Sequence, residues 1–256
     1  MYNLKNFFHF FHIVTNIKIN IYLYFFYYLL FLVNKLVFDI LVKVYFKDKK
    51  VNYIKYGNNN VMVSKVVCIG RNYVEHIEEL NNETPDSMVV FNKPNSAICD
   101  ELYYFSKDTR FEGEICFLMK DGEIDGVGFG LDLTKADIQN KMKSKGLPWE
   151  RAKGFDKSAV FGEFVHFNGD ISSLRLELWI NDQLIQFANY DLMIYKPKEM
   201  ISEIKTFMSF EDGDIIMSGT PKGVGTYNIG DIFIGKIFCD NKLLVQSEWK
   251  VKNINL

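Results

Sequence analysis

The chain has 256 residues, enough to bury a core in one large domain or two small ones. Its formal charge is −2, and no block of like charge is long enough for a nucleic-acid footprint, so a small molecule or a protein is the better-suited partner. Its four cysteines, Cys68, Cys99, Cys116 and Cys239, include no C-x-x-C pair and mostly sit in apolar runs, which favours reduced thiols over a disulfide framework or a zinc knuckle.

Residues 1–60 differ in kind from the rest. Arg, Ser, Ala and Pro are absent, and the first acidic residue is Asp39. The uncharged run from Ile21 to Val33 is shorter than the ~20 residues of a clean membrane span. It fits a targeting leader, an imperfect membrane anchor or an untranslated extension. The polar stretch Tyr56–Asn60 reads as a linker, and a separate domain is expected over 61–256.

Within that domain, Lys65–Gly70 ("KVVCIG") has the pattern of a buried strand, and "GRNYVEHIEEL" follows it. Its His76 and Glu79 are one helical turn apart, a spacing at which a carboxylate can orient an imidazole as a proton acceptor. An incidental histidine on a surface helix has the same spacing. The stretch "RFEGEICFLM" places Glu112 and Glu114 on one face of a strand, with Cα atoms ~6.6 Å apart. Two such carboxylates repel one another unless they face water or share a cation. The apolar run Ile115–Met119 that follows does not continue a solvent-facing strand.

A third carboxylate, Asp132, ends "GFGLDL" at a strand-to-helix junction, with Thr134 and Asp137 at capping-box spacing for a helix that stops at Gly146 and Pro148. With only His76 and His166 beyond the N-terminal segment, any metal set drawn from these residues is all-oxygen and suits Mg²⁺, Mn²⁺ or Ca²⁺. Leu174–Ile180 alternates and turns at Asn181-Asp182, a hairpin signal. A second helix starts at Pro197 and carries Met200, Ile201, Ile204, Phe207 and Met208 at helical spacing up to "EDGD". "MSGTPKGVG" (Met217–Gly225) lacks the order of a phosphate loop, but its N–H groups can cradle a carboxylate or an enolate oxygen. The glycine run Gly126–Gly130 receives no cofactor. A final pair of strands flanks Asp240-Asn241. Many strands, few helices and no regular βαβ alternation point to a mostly β, mixed-sheet domain.

The segments "VVCIGRNYVEHIEE", "VVFNKPNSAI", "FEGEICFLM", "GLDLTKADIQNKMKSKGLPWERAKGFD" and "EDGDIIMSGTPKGVG" occur in the order found in the fumarylacetoacetate hydrolase family, and the chain from about Ser64 onward resembles it. The resemblance is nearest to its acylpyruvase and oxaloacetate decarboxylase branch. It implies a mixed β-sandwich roll with a few short helices, a homodimer, and Mg²⁺ or Mn²⁺ bound by Glu112, Glu114 and Asp132. It implies a water-activating dyad of His76 and Glu79, with Lys153, Gln139 and Thr220 at the oxo-acid end of the substrate and Gly219 beside Thr220. The implied activity is hydrolysis of acylpyruvates, or decarboxylation or keto–enol tautomerisation of oxaloacetate, in the mitochondrion or cytosol. A degenerate oxo-acid-binding scaffold anchored by its N-terminal segment is the alternative. This chain has Ala136, beside Lys135, where that branch usually carries Arg.

Overall fold

The computed structural model of the chain describes Val33, Lys35 and residues 51–79 and 86–254. Apart from Val33 and Lys35, the expected leader lies outside the described residues up to residue 50. No helix among the described residues is long and apolar enough to cross a membrane.

The domain is mostly β. A large curled mixed sheet runs in the order Asn59–Met62, Tyr53–Tyr56, Ala159–His166, Glu123–Asp132, Gly113–Lys120, Ile215–Met217, Lys65–Gly70, Val89–Pro94, with the short strand Ile98–Cys99 beside Ala159–His166. Tyr53–Tyr56 is parallel to Ala159–His166, and Ile215–Met217 is parallel to Lys65–Gly70. An antiparallel four-stranded sheet covers one face in the order Gln183–Asn189, Leu174–Ile180, Ile232–Cys239, Lys242–Lys250. Both of its expected hairpins form. Asn181, Asp182, Asp240 and Asn241 all adopt positive φ, the turn geometry these residue types tolerate best.

Burial on two faces explains the apolar run after Glu114. Ile115, Phe117 and Met119 enter the core beneath the small sheet, while Cys116 and Leu118 pack with Cys68, Phe161 and Phe164 on the opposite face. The glycine run 126–130 has a packing role: a Cβ on Gly128 would lie 2.8 Å from the Phe164 ring, and one on Gly130 would lie 2.9 Å from Phe161. Two aromatic rings of the neighbouring strand therefore lie flat against bare backbone.

Three local expectations change. Tyr56–Asn60 closes a hairpin between Tyr53–Tyr56 and Asn59–Met62 inside the large sheet, so it is not a linker. Backbone pairing to Ala159–His166 holds this polar segment in the fold. The first long helix is Ala136–Ser144 with Lys135 at its cap, so Thr134 is not the cap residue. The second runs Pro197–Ile204 and buries Met200, Ile201 and Ile204, but it ends before Phe207, which is exposed. The Thr206 hydroxyl donates back to the Glu203 carbonyl at this end, a local bond that competes with helix continuation.

Gly128→Ala is expected to lower stability by about 1–3 kcal/mol through overpacking against Phe164. Urea titration should show an earlier midpoint with an unchanged slope. A midpoint equal to the parent's would contradict the close packing.

Candidate active site

The site is built at the ends of two adjacent antiparallel strands. Asp132 is the last residue of Glu123–Asp132, and its N–H donates to the Glu112 carbonyl at 2.8 Å. Glu114 lies one residue inside Gly113–Lys120, opposite Gly130. Ligand-capable oxygens of Glu112, Glu114 and Asp132 all come within 4.8 Å of one another. Glu114 and Asp132 are buried, and Glu112 is half-buried.

Two buried lysines neutralise part of this charge. Lys153 arrives on the one-turn helix Glu150–Lys153 and pairs with Glu112 Oε2 and Asp132 Oδ2, each at 2.8 Å. Burial opposes the Lys153 charge, but Asp132 and Glu112 outweigh it and raise the pKa. Lys93 has no solvent exposure; its Nζ lies 2.8 Å from Asp132 Oδ1 and donates to the Ser158 hydroxyl and to the carbonyls of Leu133, Lys153 and Ser158. Burial raises the Glu112 pKa, yet Lys153 and His76 bring it below the usual carboxylate value. Thr134 Oγ1 donates to Glu112 Oε1 at 2.7 Å, so this hydroxyl serves the site in place of the helix cap.

Three carboxylates face two ammonium groups, and Glu114 carries the imbalance. Burial, then Asp132 and Glu112, push its pKa well up, against the backbone N–H of Gly219, which donates to Oε2 at 2.7 Å. A divalent cation fits this set: the donors are hard oxygens from two strands, and their excess negative charge is buried.

Gly219 therefore acts behind Glu114. It has φ +95°, and a Cβ there would collide with Asn72. Asn72 in turn donates to the Ser218 carbonyl at 2.8 Å, which ties "GRNY" to "MSGT". Thr220 is held by Gln186, whose Nε2 donates to Oγ1 at 2.9 Å while Oε1 accepts from the Gly113 N–H.

One pocket opens onto this cluster. His76, Glu112, Asp132, Gln139, Lys153 and Thr220 line it. Glu114, Gly219 and Glu79 do not. His76, on the helix Val74–Glu79, is buried; burial lowers its pKa, and Glu112 and Glu79 only partly offset that. Its Nδ1 lies 3.4 Å from Glu79 Oε2, a long contact, while Glu79 Oε1 accepts from the Gly223 N–H at 3.0 Å. Because folding lowers this pKa, the unfolded chain takes the proton first, and the stability held by neutral His76 is lost as pH falls below about 6.5.

Sequence reasoning assigned no role to Lys93, Arg71, Lys143, Phe91 or Trp149, of which all but Lys93 line the pocket. Lys93 left one faint signal, a lysine inside a strand-like run just before Pro94. Lys135 lies over the Phe155 ring at 4.2 Å and is not part of the lining.

The chain matches the family model "Fumarylacetoacetate (FAA) hydrolase C-terminal" over residues 65–248. It is 35% identical over 210 residues to the mitochondrial oxaloacetate tautomerase oaa1 of Schizosaccharomyces pombe, covering 73% of this chain and 95% of that protein. Oxaloacetate tautomerase YcgM of Escherichia coli is 36% identical over 188 residues, covering 66% and 86%. Among solved structures, a fumarylpyruvate hydrolase from Pseudomonas aeruginosa in complex with Mn²⁺ and pyruvate aligns with a TM-score of 0.73 and 25% identity over 80% of this chain and 97% of that one. The chain belongs to the fumarylacetoacetate hydrolase family.

Lys93→Met is expected to cost about 3–5 kcal/mol in a denaturation experiment, because it strands the buried Asp132 charge with one partner fewer. Adding Asp132→Asn should recover part of that loss. Additive losses would show that the Lys93–Asp132 pair is not coupled.

Proposed function

We propose that this protein is a divalent-metal-dependent enzyme acting on oxaloacetate and acylpyruvates. The observation that carries the reading is the convergence of Glu112, Glu114 and Asp132 within 4.8 Å of one another, with Glu112 and Asp132 lining the same pocket as a buried His76. The oxaloacetate tautomerase names of the relatives and the Mn²⁺ and pyruvate of the Pseudomonas structure support it. Glu112, Glu114 and Asp132 would hold Mg²⁺ or Mn²⁺, which when bound supplies Lewis-acid polarisation of a 2-oxo acid.

The chain's own groups account for the rest. Lys153 puts a permanently charged donor beside the oxygen on which enolate charge develops. Gln139 and Thr220 hold the oxo-acid end, and Thr220 is itself fixed by Gln186. Burial keeps His76 neutral, and with its Nδ1–H toward Glu79 the Nε2 atom is the base. In keto–enol exchange Nε2 accepts a proton from C3 of oxaloacetate. In acylpyruvate hydrolysis it accepts a proton from the water that attacks the distal acyl carbonyl. Decarboxylation needs no water and engages His76 less. The mitochondrial designation of the S. pombe relative supports the same compartment for this chain.

Purified protein should accelerate loss of oxaloacetate enol absorbance with Mg²⁺ or Mn²⁺, and EDTA should abolish the effect. Glu114→Ala should remove calorimetric Mn²⁺ binding while the circular dichroism stays unchanged. Full activity in EDTA would refute the metal role.

His76→Ala should reduce acylpyruvate hydrolysis by ~10²–10⁴-fold and decarboxylation by much less. The acid limb of the hydrolysis profile should fall below the ordinary imidazole value of about 6.5, because burial lowers the His76 pKa. Equal losses in both reactions would rule out a water-activating base.

A further inference from the structure

We propose that a second pocket, which shares no lining residue with the first, binds an extended organic polycation, an aliphatic polyamine of the spermidine type.

The pocket lies where the edge of the small sheet meets the large one. Its walls come from Tyr53–Tyr56, from Ala159–His166 and from Lys242–Lys250, the outermost strand of the four-stranded sheet. An irregularity in the pairing of Ala159–His166 with Glu123–Asp132 falls between Phe161 and Phe164. It leaves Glu163 exposed, and Gly162 brings bare backbone to the lining.

Two independent features point to a cationic ligand. The first is charge. Asp100, Glu163 and Glu248 are exposed in the lining, and Lys55 is the one opposing charge there. None of these side chains forms an ion pair among the described residues. The second feature is Ser247. It is 9% exposed and lines the same pocket, yet its hydroxyl has no hydrogen-bond partner. A Cβ on Gly162 would fall 1.6 Å from that hydroxyl oxygen, so the bare backbone is what leaves it room. A buried hydroxyl left unpaired is costly, and an ammonium N–H donating to its oxygen removes the cost.

The spread of the carboxylates selects an extended cation over a metal ion. Among the described residues, only Glu112, Glu114 and Asp132 bring ligand atoms within 4.8 Å of one another. Asp100, Glu163 and Glu248 come from separate segments and stand too far apart to share one ion. Ammonium groups separated by methylene spacers match that spread. Tyr53, Phe161 and Trp249 add aromatic surface, which suits both the spacers and the charges between them.

Calorimetry on the full-length protein tests this with spermidine and with cobalt hexammine, a compact ion of equal charge. Spermidine is expected to bind roughly tenfold more tightly, the worth of about two buried methylenes. Glu163→Gln and Glu248→Gln should each weaken it roughly three- to fivefold, as befits exposed charges. Ser247→Ala should weaken it roughly threefold without lowering the melting temperature, because the free protein loses only an unpaired hydroxyl. Glu114→Ala, in the candidate active site, should leave spermidine binding unchanged. No binding, equal affinity for the two cations, or an affinity indifferent to Glu163→Gln, Glu248→Gln and Ser247→Ala overturns the site. A loss with Glu114→Ala overturns its location.

Discussion

Three carboxylates and two ammonium groups share one water-poor junction, and the rest of the site follows from that unequal count. Dehydrating an ion costs several kcal/mol even after relaxation, and a buried pair recovers this only with good geometry and further hydrogen bonds. The junction meets those conditions for four of its five charges. Lys93 has backbone carbonyls and a hydroxyl around it, and Lys153 bridges two carboxylates at equal distances. Glu114 is the exception, with a backbone N–H as its one named donor and neighbours that oppose its charge. Such an arrangement is poor as stabilisation of the apo fold and well suited to capturing a hard cation.

The sheet makes this arrangement rigid. Gly113–Lys120 is buried on both faces, so Glu114 cannot turn toward water without displacing its strand. Bare glycine backbone opposite it lets Phe161 and Phe164 close the far side. The loop holding Gly219 and Thr220 is fastened from two directions, by Asn72 through Ser218 and by Gln186 through Thr220. Charge, packing and loop geometry therefore constrain the same few atoms, which is how a preorganised site is kept within reach of its working geometry.

Function enters through the mix of charges on the pocket wall. It combines carboxylates, a buried imidazole whose pKa burial lowers, and half-buried basic side chains. A neutral base and fixed positive charge within one cleft suit chemistry in which a proton leaves carbon or water while negative charge gathers on a nearby oxygen.

Local patterning determined much of this protein. Alternation and turn residues specified the hairpins at Asn181-Asp182 and Asp240-Asn241, and the two-residue strand period put Glu112 and Glu114 on one face. The motif order carried the family, and Asp132 was legible as a strand end next to a helix. Tertiary structure alone decided the partners. Lys93 meets Asp132 from 39 positions away in the sequence, Gly219 reaches Glu114 across 105, and Glu79 is held by Gly223 across 144. Thr134 had the sequence features of a helix cap, yet it serves Glu112, because a half-buried carboxylate among like charges needs a donor more than a helix end near solvent does. Tyr56–Asn60 looked like a linker because polar turns and linkers share a composition, and only the strand pairing around it told them apart. Residue type and spacing encode which face a side chain takes; which charge it meets there depends on how distant strands come together, and that is settled only when the sheet closes.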